Sequence, residues 1–521
     1  MTTQLSPPHF GAFVLETLTI GMYGESRNAI REYIQNGFDS LRDAVGIKLV
    51  EEADAKIEVT LDVAGSTISI RDNGTGLPAS IAADTLISIG ASKKHFRSDA
   101  GFRGIGRLAG IAFCNTLTFT TKHVDDAVVT KVVFDAAKLR RLMTPENAEH
   151  GADAGATLLS CITVNQDAPS DLKEHFFEVL LSGFENAPDE CYDPVAMKTF
   201  IRQVSPLPYD PSFKKSGEIL ALATKFGKPI ETVTVVFKTP DGDSETLYKP
   251  YRDSYTIKKK VAPMLTLEPV VSPTNKWWGW IGRTKESGTL TESDARGIRV
   301  RVRNISIDGT DLMRDIFASP RDGGDGRVSY ARFVDWYVGE IFVDPTAAVP
   351  NARRDNFEED KHWAALRKEL SVAVAVKYGK QAHKTSNDAQ LSVDVLKTRF
   401  ETLEASKKKL LEKGDADPIR VVPLVNEAKE LLRRVTKATD GAINDEPAQL
   451  FELSQKVAEV QSELASHTAR ASTALDCSSQ VESALNELTQ QLYVALREKL
   501  PPAAWSIARD VLLDITGELP R

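Results

Sequence analysis

Three short patterns between Glu32 and Gly110 constrain this chain more than anything else in it. The first is Arg31-Glu-Tyr-Ile-Gln-Asn-Gly-Phe-Asp39, in which Glu32, Asn36 and Asp39 follow the i, i+4, i+7 spacing of one helix face. The second is Asp72-Asn-Gly-Thr-Gly76, an acid at the entrance to a turn. The third is Gly101-Phe-Arg-Gly-Ile-Gly-Arg-Leu-Ala-Gly110, whose spaced glycines leave successive backbone N–H groups open to an anion. A fold that uses all three must bring a helix, a strand end and a loop to one place. A carboxylate, an amide and a cradle of amides at one place suit a magnesium-bound nucleotide. Each pattern also has a plainer reading: a solvated acidic stripe, an isolated type I′ turn and a tight structural loop. The glycine run is not a Walker A loop, because no Gly-Lys-Ser/Thr follows it.

The surroundings supply the elements. Phe10 to Leu49 has helical spacing broken at Gly21-Met-Tyr-Gly24, which predicts two helices, with Ile30, Ile34 and Leu41 near one face of the second. Ile57 to Val63 and Thr67 to Ile70 alternate apolar and polar residues around Gly65-Ser66, which predicts a hairpin delivering Asp72 at a strand end. A helix over Ala83 to Ile89 is followed by a polar segment with Ser92, Lys93 and Lys94 that reads as a lid. Leu117 to Thr121, Val128 to Phe134 and Thr157 to Val164 read as further strands, making residues up to 165 an α+β sandwich.

At 521 residues the chain has room for about three domains. A formal net charge of −8 argues against a dedicated nucleic-acid binder. Cys114, Cys161, Cys191 and Cys477 form no Cys-x-x-Cys pair and read as reduced core thiols, and the histidines form no metal-ligand pair at helical spacing. No apolar run is long enough to span a bilayer and the first residues lack signal-peptide features, so the expected location is the cytoplasm, without membrane contact.

Glu-x-x-x-Asn, Asp-x-Gly-x-Gly, a glycine-rich lid loop and a later threonine, in this order, resemble the GHKL ATPases: gyrase B, the ninety-kilodalton heat-shock chaperones, histidine kinases, MutL and the MORC proteins. The resemblance covers residues 10 to 165 and implies a Bergerat-type α/β sandwich that binds ATP and Mg2+. It implies that Glu32 is the base or orienter of the attacking water and Asn36 the magnesium ligand. Asp72 would bind adenine, with Gly76 letting the base sit close. Lys93 in the lid, with Gly101, Gly104 and Gly106, would cover the phosphates, and Thr157 would be the later threonine, although Ala156 separates it from Gly155 where the family has the two adjacent. Histidine kinase activity is not expected, since no helical phospho-acceptor histidine precedes the region.

Residues 166 to 215 read as a connection with one helix near Asp171 to Phe184, and 216 to 365 as an α/β middle domain. There Val233 to Phe237, Trp277 to Ile281 and Ile298 to Ile305 predict strands, and Arg299, Arg301 and Arg303 share one face by period two. That basic face reads as solvated, with contact to nucleic acid as the sharper alternative. Phe333 to Val343 followed by Pro350-Asn-Ala-Arg-Arg-Asp355 resembles the middle domain of the heat-shock chaperones, whose loop arginine reaches the γ-phosphate. The resemblance puts Arg354 in that role, with Arg353 as the neighbouring alternative; a plain surface pair bridged to Asp355 or Glu358 is the bland reading. From 366 to 521 the chain reads as helical, and Leu450, Leu453, Val457, Val460 and Leu464, then Val481, Leu485, Leu488 and Leu492, follow three-four spacing. Two coiled-coil segments are expected, forming a homodimer seam in preference to the alternative of packing within the monomer. The resulting expectation is an ATP-driven conformational machine resembling the heat-shock chaperones, acting with a protein client or operon partner. Its alternatives are a MORC- or MutL-like clamp on DNA and a nucleotide-timed scaffold of a bacterial defence or stress system.

Overall fold

The computed structural model describes residues 10–21, 25–90, 104–146, 153–168, 171–319, 329–412, 418–440 and 447–474, with single positions at 493, 496, 497, 505 and 508. The chain divides into two units, Met1–His383 and Lys384–Arg521. Both sheets of this mixed α+β protein lie in the first.

The predicted hairpin forms from β1 (Lys56–Asp62) and β2 (Thr67–Asp72), with Val59 opposite Ile70. Ser66 takes a left-handed φ of 51° in the turn, and Asp62 accepts a hydrogen bond from the Gly65 N–H at 2.8 Å. β3 (Cys114–Lys122), β4 (Val129–Asp135), β5 (Ile162–Asp167), β6 (Phe176–Phe184), β7 (Thr234–Lys238) and β8 (Ser244–Leu247) complete the sheet, in the order β5-β4-β3-β6-β2-β1-β7-β8. The helix expected near Asp171 to Phe184 is instead β6, the strand joining β3 to β2. Its side chains, Phe-Phe-Glu-Val-Leu-Leu, pack partly on both faces, as a central strand requires, and its aromatic and β-branched residues favour that state. The sheet therefore does not end at residue 165, and β7, expected in the second domain, pairs in parallel with β1. Apolar residues from the helix Asn28–Gly46, including Ile30, Ile34, Phe38 and Leu41, cover one face and form the first core with Ile57, Val59, Leu117 and Leu181. Cys114, Cys161 and Cys191 are free and buried there.

The second sheet contains β9 (Ser254–Ile257), β10 (Lys260–Val271), β11 (Trp277–Thr284), β12 (Gly297–Val302), β13 (Ile305–Ile307) and β14 (Tyr337–Val343), in the order β13-β12-β14-β11-β10-β9. One face packs on the helices Asp311–Ala318 and Lys361–Leu370, and the other, with Trp278 and Trp280, on the helix Ser216–Lys225. Trp363, Leu366 and Leu370 belong to this core, so the first helical residues after 360 pack on the second sheet. Ile298 to Ile305 is not one strand: Arg303 and Asn304 both take positive φ and turn β12 into β13. Ile305, one residue on, is buried in the core of the first sheet.

The arginine-bearing strand is neither solvated nor available to nucleic acid. Arg299 and Arg301 are buried. Arg301 pairs with the buried Glu340 and donates to the Gln203 and Ser205 carbonyls at the end of the helix Pro194–Val204, at 3.0 and 3.3 Å. Lys249 Nζ reaches both Glu340 oxygens at 2.9 and 3.0 Å and Asn304 Oδ1 at 2.7 Å, and Tyr209 donates to the same carboxylate. Although burial opposes ionisation, the two cations hold the Glu340 carboxyl down at about 2. Period-two spacing fixes which side chains share a face but not whether a counter-charge waits opposite it.

In the second unit, the helices Val393–Glu412, Pro418–Asp440 and Pro447–Ala474 share one core. Leu450, Leu453, Val457, Val460 and Leu464, expected at a seam between two chains, are buried with Leu396, Leu403, Val421, Leu431 and Val435 of the same chain. A three-four apolar stripe seals equally well against its own neighbours. The second stripe, Val481 to Leu492, lies outside the described residues. Among the described residues no helix is long and apolar enough to cross a membrane.

Candidate nucleotide site

The helix Asn28–Gly46 is buried around most of its circumference, which is unusual for one carrying so many polar groups. Arg31, Glu32, Gln35 and Asp39 are buried, and Asn36 is half-buried. Gly37 lets the helix approach the sheet, since a Cβ there would stand 3.0 Å from Ile57 Cδ1 and 3.3 Å from Asp72 Oδ2. Glu32, Asn36 and the Asp72 carboxylate are thus gathered along one helix and the strand end it covers.

Asp72 ends β2 and is buried; its Oδ1 accepts from the Gly74 N–H at 2.9 Å. Ser40, one turn beyond Asn36, accepts from the Thr75 N–H at 3.2 Å, so the same helix also holds the turn. Gly76 has φ of 64°, and a Cβ there would collide with the Lys122 carbonyl. The glycine is therefore required by close backbone packing. Thr121, buried on β3, accepts from the Leu77 N–H at 2.8 Å and donates to the Phe176 carbonyl at 3.2 Å, and His175 Nδ1 lies 2.8 Å from the Gly74 carbonyl. Sequence reasoning passed over Ser40, Thr121 and His175 because their partners are backbone groups brought together only by the fold.

Thr157 is not part of this group. It lies in the short helix Ala154–Leu159, capped by Asp153, where a strand was expected. That helix leads into β5, four strands from β2 in the sheet, or about 19 Å at the usual strand spacing. The buried threonine beside the Asp72 turn is Thr121.

Of the glycine run, Gly104 and Gly106 are described, and Gly101 and the lid residue Lys93 lie outside the described residues. Gly104 has φ of 69°, and Gly106 opens the 3₁₀ helix Gly106–Ala112. Tyr33 ties that helix to Asn28–Gly46: its hydroxyl donates to the Arg107 carbonyl at 3.1 Å and accepts from the Gly110 N–H at 2.9 Å. Arg107 bonds the Thr85 and Gly104 carbonyls, and burial lowers its pKa.

The second lobe of the same unit reaches this helix. The loop after β14 folds back through a Pro350–Phe357 bridge and an Asn351 N–H to Asn356 carbonyl bond of 2.9 Å. Arg354 sits at its tip with φ of 54°, its carbonyl accepting from the Asp308 N–H at 3.1 Å. The buried Arg354 side chain lies with Nε 3.6 Å from Glu32 Oε1, whereas the Arg353 side chain is exposed. Arg31 bonds both partners of this joint, reaching the Arg353 carbonyl at 2.8 Å and Glu32 Oε1 at 3.3 Å. The structure therefore brings Arg354, and not Arg353, to Glu32.

Residues 24–149 match the family model described as histidine kinase-, DNA gyrase B- and HSP90-like ATPase. No curated protein matches the chain. The matched stretch contains Glu32, Asn36, Asp72 and the glycine run, and the match supports ATP binding by this region. A magnesium ion accompanying the nucleotide fits the donor set. Asn36 is half-buried beside Glu32 with no hydrogen bond to a described residue, and no group of three or more acidic, histidine or cysteine ligands occurs among the described residues. A cation held by one protein oxygen, waters and phosphates needs no such group.

Proposed function

We propose that the chain is an ATP-hydrolysing conformational machine, resembling the heat-shock chaperones, that acts on a protein partner. The observation that carries this reading is the meeting of Arg354 and Glu32 at 3.6 Å, because it joins an arginine of the second lobe to the acid of the matched region. Phosphoryl transfer depends mainly on positioning and charge neutralisation. Glu32 receives a proton from the attacking water, and the Arg354 guanidinium stabilises the charge developing on the transferred phosphoryl group. Asn36 would hold magnesium, which supplies further neutralisation of the phosphates when bound. The Asp72 carboxylate accepts a hydrogen bond from the adenine amine, in a turn held by Ser40 and Thr121. Burial of Arg299 and Arg301 weakens the reading of a DNA clamp, which then rests on the helical tail alone.

The test compares Glu32→Ala and Arg354→Ala with the unaltered chain for equilibrium ATP binding and for single-turnover hydrolysis. Both variants are expected to bind ATP, with turnover nearly abolished by the first and reduced by about 1,000-fold or more by the second. Undiminished turnover in either variant would remove that residue from the mechanism.

A further inference from the structure

One residue of the polar helix face has no part in the mechanism above. Gln35 is 1% exposed, and neither its amide nitrogen nor its amide oxygen has a hydrogen-bond partner. A carboxamide buried in that state is costly, and native proteins keep one where water, an ion or a ligand satisfies it. Two further buried polar atoms in this region also lack a partner. Arg31 Nε, one turn earlier on the helix, is buried without a partner, and so is Asn351 Oδ1 in the loop that docks through the Arg353 carbonyl onto Arg31. Together these are two donors, Arg31 Nε and Gln35 Nε2, and two acceptors, Gln35 Oε1 and Asn351 Oδ1. The Gln35 amide, which offers both a donor and an acceptor, suits ordered water, which makes two to four bonds at a buried polar site.

Helix geometry sets where this happens. Glu32 precedes Gln35 by three residues and Arg31 by four, so both are its neighbours on the helix surface, at about 5–6 Å between Cβ atoms. Gln35 thus leaves the helix as a neighbour of Glu32, the residue whose carboxylate meets Arg354. Glutamine is suited to orienting an attacking water because its amide donates and accepts without competing for the proton.

We propose that Gln35 is a positioning residue that holds the attacking water against Glu32, a role that rests on the hydrolysis reading above. Gln35 Oε1 accepts one hydrogen of the water and Glu32 faces the other. The water oxygen bonds to the γ-phosphorus, and the bond from phosphorus to the β–γ bridging oxygen breaks, its electron pair leaving with ADP. The proton lost by the water passes to Glu32 and then to the released phosphate.

The test uses the full chain with Gln35→Leu and Gln35→Met, which keep the bulk and remove the polar atoms, alongside Glu32→Ala. Since no hydrogen bond to protein is lost, both Gln35 variants should melt no lower than the unaltered chain and bind ATP within about threefold of it, while turnover falls by about 100-fold. Gln35→Glu should move the acid limb of the pH–rate profile to higher pH, because a second carboxylate beside Glu32 favours protonation of the pair. A side chain that only fills space would give unchanged turnover in the Leu and Met variants, and that result overturns the proposal. If the unaltered chain turns over no faster than Glu32→Ala, the hydrolysis reading fails and takes this one with it. If it turns over faster and the two Gln35 variants match it, only this inference falls.

Discussion

Arg31→Met tests whether docking of the Arg354 loop supports the chemistry. Arg31 is buried and gives the loop its bond from the helix side, Nη2 to the Arg353 carbonyl at 2.8 Å. A hydrogen bond from a charged donor contributes about 1.5–3 kcal/mol, which corresponds to roughly a 10- to 150-fold change in the ratio of docked to undocked loop. Methionine keeps most of the buried length and removes the bond. If hydrolysis requires the docked loop, the single-turnover rate at saturating MgATP should fall by up to that factor, with ATP affinity unchanged. The decisive measurement is a double-mutant cycle with Arg354→Ala. Where Arg31 acts by delivering Arg354, its loss should add little once Arg354 is gone. Full additivity would refute the reasoning, because it would mean that Arg31 acts separately, for example through its 3.3 Å contact with Glu32. A loss of ATP binding in Arg31→Met would refute it as well.

Three further outcomes are expected. Glu340→Gln leaves Lys249 and Arg301 buried without their counter-charge and should lower unfolding stability by about 3–5 kcal/mol in denaturant titration. Asp308, under the Arg354 loop, has its carboxyl pushed up to about 7 by burial and by Asp311, Asp355, Asp315 and Glu25. Its folded form then binds more protons than its unfolded form between about pH 4 and 7, so it makes stability fall as pH rises through that window. Asp308→Asn should flatten that slope, leave stability near pH 4 unchanged and raise it at pH 8, as read from thermal melts across pH. Gly76→Ala places a side chain at φ of 64°, costing about 1–2 kcal/mol before the collision with the Lys122 carbonyl is counted. It should lower the melting temperature and abolish ATP binding together; normal binding would mean that the Asp72 turn tolerates displacement.

What could be read from sequence was what local periodicity and turn chemistry encode. The helix bearing Glu32 and Asn36 and the hairpin ending at Asp72 needed only spacing and Gly65-Ser66. Arg354 was reached through resemblance of its loop, and the structure places it against Glu32. The rest depended on partners distant in sequence. β6 has no clean alternation because both its faces are packed, so a short apolar run was taken for a helix. Thr157 has the expected order along the chain but lies in a helix away from the Asp72 turn, and Thr121, which lies beside that turn, stands amid four other threonines between residues 115 and 130. Arg301 and the Leu450 to Leu464 stripe were assigned to surfaces because nothing local announces Glu340 or the helices of residues 393–440.

Ile305 bears on how the proposed machine would move. It belongs to an edge strand of the second sheet, yet its side chain is rooted in the core of the first. Swinging one sheet away from the other would drag that side chain into water, at about 1.5–3 kcal/mol, and would strain the Arg301 bonds to the Gln203 and Ser205 carbonyls. The two sheets are pegged together, with no free hinge at this point. Travel during a nucleotide cycle should therefore fall to the light parts mounted on this frame, such as the Pro350–Asp355 loop, whose seat on the helix is a few polar contacts deep.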